Sequence, residues 1–348
     1  MTRASAYSQL LAKAGAERSY LLSKGQLRRL AECKSLSELI SQLRGAPYEH
    51  LLRDAGHPSA AVLQRMFKEE LVRVCDKMMD SSPKQIRGFL KNYLRYLEIE
   101  NLEILIKMKS IGVPSDSLLS MLNLSIEEIF KMRERFIQAA KAKDVTAAIE
   151  VFKDTIYGPI LSEGLTRYEE TGSTRFFDFS LDRAYHDDLL GSIELLPRGD
   201  REAALLLAGL KVDAFNIMTA IRSKFLEYPP HLIFWAITRR FYRLSEGQIR
   251  SIVSSSDVNS ALDHVRGSFY GRFLASHENV EELITDFERK INYFILRNIN
   301  KKRIVEPFTI ATPLDVILKK EVEIKNLILI SSGIEFSWKS ENIASILL

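Results

Sequence analysis

The sequence predicts an all-α protein built from three related helical units, and three observations lead to that expectation. Glycine and proline together make up 26 of the 348 residues, about 7.5% where average usage is about 12%. Apolar residues recur at helical spacing along most of the chain, and no convincing set of alternating strands occurs. Two short motifs each occur three times in the same order.

Helical spacing is clearest in residues 83–97, where the apolar residues fall on one helix face. Ser82 is a suitable N-cap for this helix, and Pro83 suits its first position. The other face carries a basic stripe without an acidic residue: Lys84, Arg87, Lys91 and Arg95. Similar spacing predicts helices over 61–79, 126–142, 201–222 and 280–299.

The first repeated motif is a 14-residue segment that aligns without gaps in three places, 35–48, 144–157 and 257–270. Each copy begins with a capping residue, continues as a short amphipathic helix and ends on a tyrosine. The three tyrosines are Tyr48, Tyr157 and Tyr270. We expect them to anchor the end of the short helix against the core.

The second motif is an acidic residue followed three positions later by asparagine and then by aliphatic residues. Its copies are Glu98 with Asn101, Asp213 with Asn216, and Glu323 with Asn326. Residues three apart share one face of a helix, so each pair can hold the same neighbouring group. A structural role is expected, because an active site would need three equivalent copies with no nucleophile or metal partner.

The two motifs alternate at similar intervals, which predicts three homologous units over 1–112, 113–228 and 229–348. A repeat of this length is a small helical domain and exceeds the unit of a tetratricopeptide solenoid, which is about 34 residues. Three copies suggest a pseudo-threefold arrangement of lobes around a central space.

The sequence motifs predict no catalytic, cofactor-binding or metal-binding residue. The chain contains no phosphate-binding G-x-x-x-x-G-K-[ST], no G-x-G-x-x-G and no H-E-x-x-H. A helical prenyl-type synthase would need paired Asp-rich motifs, whereas Asp187 and Asp188 stand alone beside His186, which we expect on a solvated helix turn. Cys33 and Cys75 are too few for a disulfide scaffold and indicate a reducing compartment.

The charges are balanced, with 49 Lys and Arg against 45 Asp and Glu. Proteins that bind nucleic acid usually concentrate basic residues, so no nucleic-acid partner is expected. The longest run without a charged residue spans 228–238, shorter than the ~18 residues that predict a membrane span.

The C-terminal segment 307–327 carries the most specific family resemblance. A proline-containing stretch there precedes the helical sequence Lys-Glu-Val-Glu-Ile-Lys-Asn-Leu over 320–327. With the Leu-Asp-x-x-Tyr segment at 181–185 and basic residues after Asn101 and Asn216, this resembles the C subunits of A-type ATPases, relatives of the V-type ATPase d subunit. Ser331 and Ser332 follow Asn326 where that family often has a basic residue.

The resemblance implies a funnel-shaped socket of three helical lobes without catalytic or nucleotide sites. It also implies a place in the central rotor, between the central-stalk subunits of D and F type and the membrane rotor ring. There the protein would lie peripherally on the cytoplasmic face of the membrane and transmit torque between ATP turnover and ion transport, with protons the expected ion. The basic stripe Lys84–Arg95 would then face an acidic partner, the stalk foot.

A different class of function stays open, a helical-repeat nucleic-acid-binding or adaptor protein. Such a nucleic-acid binder needs a continuous basic surface and a steep salt dependence of binding. A filter-binding titration distinguishes the two classes.

Overall fold

A computed structural model describes residues 3–44, 48–53, 56, 58–275 and 279–347. Within these ranges the chain forms α-helices, two 3₁₀ segments and loops, without a strand. The α-helices are, in chain order, α1 Arg3–Ser19, α2 Lys24–Ala31, α3 Leu36–Leu43, α4 Glu49–Leu52, α5 Ala60–Asp80, α6 Lys84–Ser110, α7 Ser115–Met121, α8 Leu124–Phe130, α9 Arg133–Lys141, α10 Val145–Glu150, α11 Gly158–Thr171, α12 Arg175–Gly191, α13 Arg198–Phe225, α14 Pro230–Ala236, α15 Glu246–Ser254, α16 Val258–Arg266, α17 Val280–Val305, α18 Ala311–Glu335 and α19 Ser340–Ile346. The all-α prediction is confirmed for the described part of the chain.

Equivalent helices recur in the same order three times along the chain. Each series has two short helices, a longer helix, a helix of at least 25 residues that carries the acidic residue and asparagine, and a short helix after it. The equivalent sets are α2, α9 and α15; α3, α10 and α16; α5, α12 and α17; α6, α13 and α18; and α7, α14 and α19.

The N-terminal caps explain why the repeated segment begins with Ser or Asp. The side chains of Ser35, Asp144 and Asp257 each accept the N–H three residues further on, at 3.2, 2.8 and 2.9 Å. These bonds satisfy N–H groups that a helix cannot pair internally. Two of the preceding helices, α2 and α15, start with complete capping boxes at Ser23 and Ser245.

The three helices α6, α13 and α18 also end in the same way. The residue eleven positions after each motif asparagine has positive φ: Gly112 at 75°, Glu227 at 59° and Ser337 at 54°. The next N–H then bonds a carbonyl five residues back, at 2.8–3.0 Å. This is the Schellman turn, in which glycine is favoured because it has no Cβ.

Each of these three helices packs against the longer helix of the following series. Helix α6 lies against α12, α13 against α17, and α18 against α5, the last being the most extensive contact between two helices. The third series therefore contacts the first, and α1 adds to that contact by packing on both α18 and α5. The boundaries 1–112, 113–228 and 229–348 stay a prediction.

Helix α13 is the one described helix that is long and apolar enough to cross a membrane, with a mean hydropathy of 1.6 in its most apolar window. Of that window, 78% is buried inside the protein. A core helix of a folded domain has these properties, and α13 packs against α12, α15, α16 and α17.

Two details of the sequence predictions are wrong. The helix expected over 126–142 is broken, because Lys131 adopts φ 61° and the Met132 N–H turns back to the Glu127 carbonyl at 2.8 Å. In addition, α6 begins at Lys84 with Pro83 as its cap, one residue later than expected. Both corrections concern helix boundaries, about which side-chain periodicity gives the least information.

Candidate functional site

The repeated tyrosines and the repeated acidic residues contact each other. Each tyrosine is at most 1% exposed, and each donates its hydroxyl hydrogen to one of the three carboxylates. The pairs are Tyr157 with Glu98 at 2.5 Å, Tyr270 with Asp213 at 2.6 Å, and Tyr48 with Glu323 at 2.5 Å. We name them junction 1–2, junction 2–3 and junction 3–1, because each tyrosine belongs to the predicted unit that follows that of its acid.

Junction 3–1 joins the ends of the chain, and its carboxylate is neutralised by a lysine. The Lys320 ammonium, itself buried, lies 2.6 Å from Glu323 and 3.5 Å from the Tyr48 hydroxyl. The Leu22 N–H also donates to Glu323. Burial and the Glu323 charge hold the pKa of Tyr48 well above its usual range, so the phenol remains the donor.

More ion pairs surround junction 3–1. Glu70 and Glu17 are both buried, at 0% and 1% exposure. Arg73 bonds Glu70 through two nitrogens at 2.8 Å and reaches Glu17 at 3.2 Å, while Lys77 also donates to Glu17 at 2.5 Å. These contacts join α1 to α5, and the 4.0 Å approach of Lys320 to Glu70 adds α18.

Junction 2–3 neutralises its carboxylate with backbone groups instead. Asp213 accepts the N–H groups of Tyr242, Arg243 and Leu244 at 2.9, 2.6 and 2.9 Å, in addition to the Tyr270 hydroxyl. Burial raises the pKa of Asp213, and these four hydrogen bonds oppose that rise. A carboxylate with four donors needs no cation beside it.

Junction 1–2 leaves its carboxylate with the fewest donors. Glu98 is 1% exposed, and Arg95 approaches it only to 4.0 Å. Burial raises the pKa of Glu98 to about 7, although Tyr157 and Arg95 oppose the rise. Nearby Glu127 has a pKa raised to about 9 by burial and by the charge of Glu98.

The motif asparagines hold the segment that follows each long helix. Asn101 accepts the N–H of Asn123 at 3.0 Å, and Asn216 accepts that of Thr238 at 2.9 Å, 22 residues downstream in both cases. The Asn101 amide also donates to Glu127 at 2.7 Å. Asn326 is buried at the equivalent position.

Basic residues downstream of the asparagines bind within the chain, which sequence reasoning missed. Lys107 lies 2.9 Å from Asp178 on α12, and Arg222 lies 3.2 Å from Glu281 on α17. Two positions further on, Lys109 and Lys224 donate to carbonyls at the ends of α9 and α15. In the third series the positions equivalent to Lys107 and Lys109 hold Ser332 and Ile334. The missing basic residue after Asn326 therefore removes contacts inside the protein. The equal spacing of these basic residues from the two motif asparagines could have indicated their shared structural role.

The basic stripe does not form one free face. Lys84 and Arg87 are exposed, but the Arg87 guanidinium donates to two carbonyls at the end of α5 at 3.0 Å. Lys91 and Arg95 are half-buried and lie over the Phe130 ring, 5.1 and 5.7 Å from its centre.

His186 is not on a solvated turn. Its ring stacks on Phe215 with the centres 4.3 Å apart, Nδ1 lies 2.8 Å from the Asp182 carbonyl, and burial lowers its pKa to about 4. Asp187 and Asp188 approach Arg240 and Arg95 at 3.9 and 3.5 Å. Among the residues with described coordinates, no cluster of three His, Cys, Asp or Glu side chains has a metal-binding arrangement.

The long helices α6, α13 and α18 approach each other at equivalent residues, each five positions before the motif asparagine: Tyr96, Lys211 and Glu321. Glu321 accepts the hydroxyls of Tyr96 and Tyr93, both at 2.9 Å. The Lys211 ammonium lies 5.5 Å from the centre of the Tyr93 ring. We name Tyr96, Lys211 and Glu321 the axial triad; all three side chains are half-buried.

The C-terminal tips of the same helices expose apolar side chains. Ile111, Phe225 and Phe336 are 71%, 52% and 68% exposed. A second exposed apolar group precedes α13 and α18 and includes Leu195, Ile304 and Val305. Large exposed apolar side chains grouped in one region mark surfaces that contact partners.

The fold and the junctions define a class, an all-helical repeat protein whose repeated polar residues join one helical series to the next. Residues 10–346 match the family described as ATP synthase (C/AC39) subunit. The chain belongs to that family, and the resemblance inferred from sequence is confirmed.

Three similar proteins are each named the C subunit of an A-type ATP synthase. The chain is 24% identical to that of Methanocaldococcus jannaschii, over 98% of this chain and 86% of the relative. It is 25% identical to that of Thermococcus onnurineus, over 97% and 88%. For Methanothermobacter thermautotrophicus the identity is 23%, over 88% and 78%.

Proposed function

We propose that the protein is a non-catalytic coupling subunit in the central rotor of an A-type ATP synthase. It links the central-stalk subunits of D and F type to the membrane rotor ring and transmits torque between ATP turnover and ion transport, with protons as the expected ion. Membership of the family and the shared name of its relatives support the assignment to this complex. The protein is then peripheral, on the cytoplasmic face of the membrane.

The contrast between the middle and the C-terminal ends of the three long helices carries the proposal. They approach each other at the axial triad, whereas Ile111, Phe225 and Phe336, about 15 residues further along, are exposed. At 1.5 Å per residue, about 22 Å of helix lie between these two levels. This geometry favours a funnel that widens towards the helix C-termini, with an apolar mouth suited to the foot of a helical stalk.

The opposite end supplies a second contact surface. Ile310 and Asp200, at the starts of α18 and α13, are joined by a 2.7 Å hydrogen bond, so the loops that precede these helices adjoin. The chain segments just before those loops expose Leu195, Ile304 and Val305. In the proposed arrangement this end faces the membrane ring. The exposed Lys84, at the start of α6, is then at the ring end and contacts acidic groups there, not at the stalk foot as expected from the sequence.

The closed series of junctions suits a body that transmits torque. Every series is held to the next by a buried phenol–carboxylate pair, including the third to the first. A close-packed body without a free end between units resists deformation. We propose that the three units 1–112, 113–228 and 229–348 form three lobes arranged in this pseudo-threefold circle.

Affinity purification from detergent-solubilised membranes tests the assignment. The tagged full-length chain should recover stalk and ring subunits together, under conditions that keep the head and the membrane part joined. The matched control is the variant I304S/V305S, which should retain the stalk subunits but lose the ring. Recovery of the chain alone, while untagged subunits still purify as one complex, contradicts the proposal.

A further inference from the structure

The axial triad breaks the threefold symmetry of the repeat at the point where the long helices meet. Position 96 is a tyrosine, the equivalent position 211 a lysine and the equivalent position 321 a carboxylate. The adjoining parts of these helices, in contrast, have similar apolar side chains, such as Ile99, Ala214 and Ile324. A partner that enters between the helices meets three chemically different walls at one level.

Within the chain, the Glu321 carboxylate has hydrogen-bond donors, whereas the Lys211 ammonium contacts an aromatic ring. Glu321 accepts two tyrosine hydroxyls. Lys211 faces the Tyr93 ring, and none of the carboxylates in the described residues lies within ion-pair distance of its ammonium. An ammonium has three hydrogens to donate, so this lysine can bind an acceptor from outside the chain.

The triad is open to such an acceptor. Tyr96 and Glu321 touch each other across the space between α6 and α18, yet all three triad side chains are half-buried and not fully enclosed. The Tyr96 hydroxyl bonds Glu321, and the Lys211 ammonium lies over the ring of Tyr93, three residues before Tyr96 on α6. In the proposed function the stalk foot enters from the C-terminal ends of the same helices, where Ile111, Phe225 and Phe336 are exposed.

We propose that Lys211 binds a carboxylate at the tip of the inserted stalk and thereby selects one of three rotational orientations. This inference rests on the proposed function, since it assumes that the stalk foot enters the mouth. A symmetric floor would leave the three orientations equally populated. Holding nine-tenths of the complexes in one orientation takes about a 20-fold preference, or about 1.8 kcal/mol. One charge-assisted hydrogen bond supplies that amount.

A distance measurement tests the orientation directly. The full-length chain carries one spin label at Glu227→Cys, an exposed residue at the mouth, and the purified stalk subunits carry one label at their foot; Cys33 and Cys75 are buried and do not compete. The parent chain should give one distance. Lys211→Met should give up to three distances and about a tenfold weaker affinity.

Exchanging the lysine between units gives the sharper result. The double variant K211M/E321K moves the ammonium from α13 to α18 and removes the one triad carboxylate that could pair with it, so the single distance should shift to that of the orientation rotated by one unit. Lys325→Met, one turn further along α18 and 57% exposed, is the control and should match the parent.

The outcomes separate the two proposals. If the parent chain binds the stalk and both Lys211→Met and the double variant keep the parent's distance, the orientation role is wrong while the coupling function stands. If the parent chain does not bind the stalk at all, the proposed function fails and this inference fails with it.

Discussion

Junction 3–1 and junction 2–3 use the same tyrosine–carboxylate pair but neutralise the carboxylate in different ways. Asp213 has three backbone N–H donors in the segment that continues to the next unit. Glu323 has one backbone donor and the buried Lys320, within a larger set of ion pairs. No peptide segment connects the third helical series back to the first. The comparison indicates that buried ion pairs stabilise the contact between the third and first helical series, which no peptide segment connects.

Removing the lysine of junction 3–1 should have the largest effect. Lys320→Leu gives this junction the residue that the equivalent position 210 carries in junction 2–3, but leaves Glu323 and Glu70 without their buried cation. The expected loss in the free energy of unfolding is about 3–5 kcal/mol, typical of a broken buried ion pair. Urea denaturation followed by circular dichroism measures it.

The exposed Lys325→Leu is the control for that experiment, with an expected change within about 0.5 kcal/mol. A loss below about 1 kcal/mol for Lys320→Leu shows that the charge at junction 3–1 does not stabilise the protein.

The stability lost when a tyrosine hydroxyl is removed should depend on how many other hydrogen-bond donors the carboxylate keeps. Tyr157→Phe leaves Glu98 with only the distant Arg95, and we expect a loss of about 2–3 kcal/mol. Tyr270→Phe leaves Asp213 its three backbone donors, and we expect about 1 kcal/mol. Thermal and urea unfolding of both variants check the order, and an equal or reversed cost counts against this view of the junctions.

The pH dependence should distinguish junction 1–2. The pKa of Glu127 is raised by burial from an ordinary 4.5 to about 9, so the folded state holds a proton that the unfolded state releases. Its stabilising contribution is complete below about pH 4.5 and falls as the pH rises towards 9. Between pH 6 and 8 the slope from this one group approaches about 1.36 kcal/mol per pH unit.

Glu127→Gln should remove that slope and stabilise the protein at pH 8. Unfolding midpoints at pH 6, 7 and 8 measure the change, with the adjacent exposed Glu128→Gln as the control. Parallel pH profiles for the parent and Glu127→Gln would show that Glu127 carries no extra proton.

The smallest effect should come from the Schellman turns. Glu227 and Ser337 are exposed and occupy the left-handed conformation that Gly112 provides in the first series. Glycine avoids the Cβ strain there but costs entropy in the unfolded chain, so Glu227→Gly and Ser337→Gly should each stabilise by about 0.5–1 kcal/mol. Gly112→Ala should destabilise by a similar amount, and calorimetry of the three variants tests the sign.

Local features of the fold were predictable because they depend on nearby residues. Ser35, Asp144 and Asp257 cap their helices as expected, since a cap needs only the next three residues. The break at Lys131 was missed because the apolar spacing continues through it.

The junctions were only half predictable. Sequence identified Tyr157 and Glu98 as repeated residues, but each was assigned to its own unit. Their pairing across units depends on which helices become neighbours, and helical periodicity does not contain that information. The same reason applies to Arg95, which periodicity placed on the basic stripe and the fold places 3.5 Å from Asp188 on α12.

Site-specific photocrosslinking in the intact detergent-solubilised complex tests the central claim most directly. A photoreactive residue at Ile111, at the mouth, should crosslink to the stalk subunits, and one at Ile304, at the opposite end, should crosslink to the ring. Crosslinks from both positions to the same partner, or to neither, would contradict a socket that joins stalk and ring through its two ends.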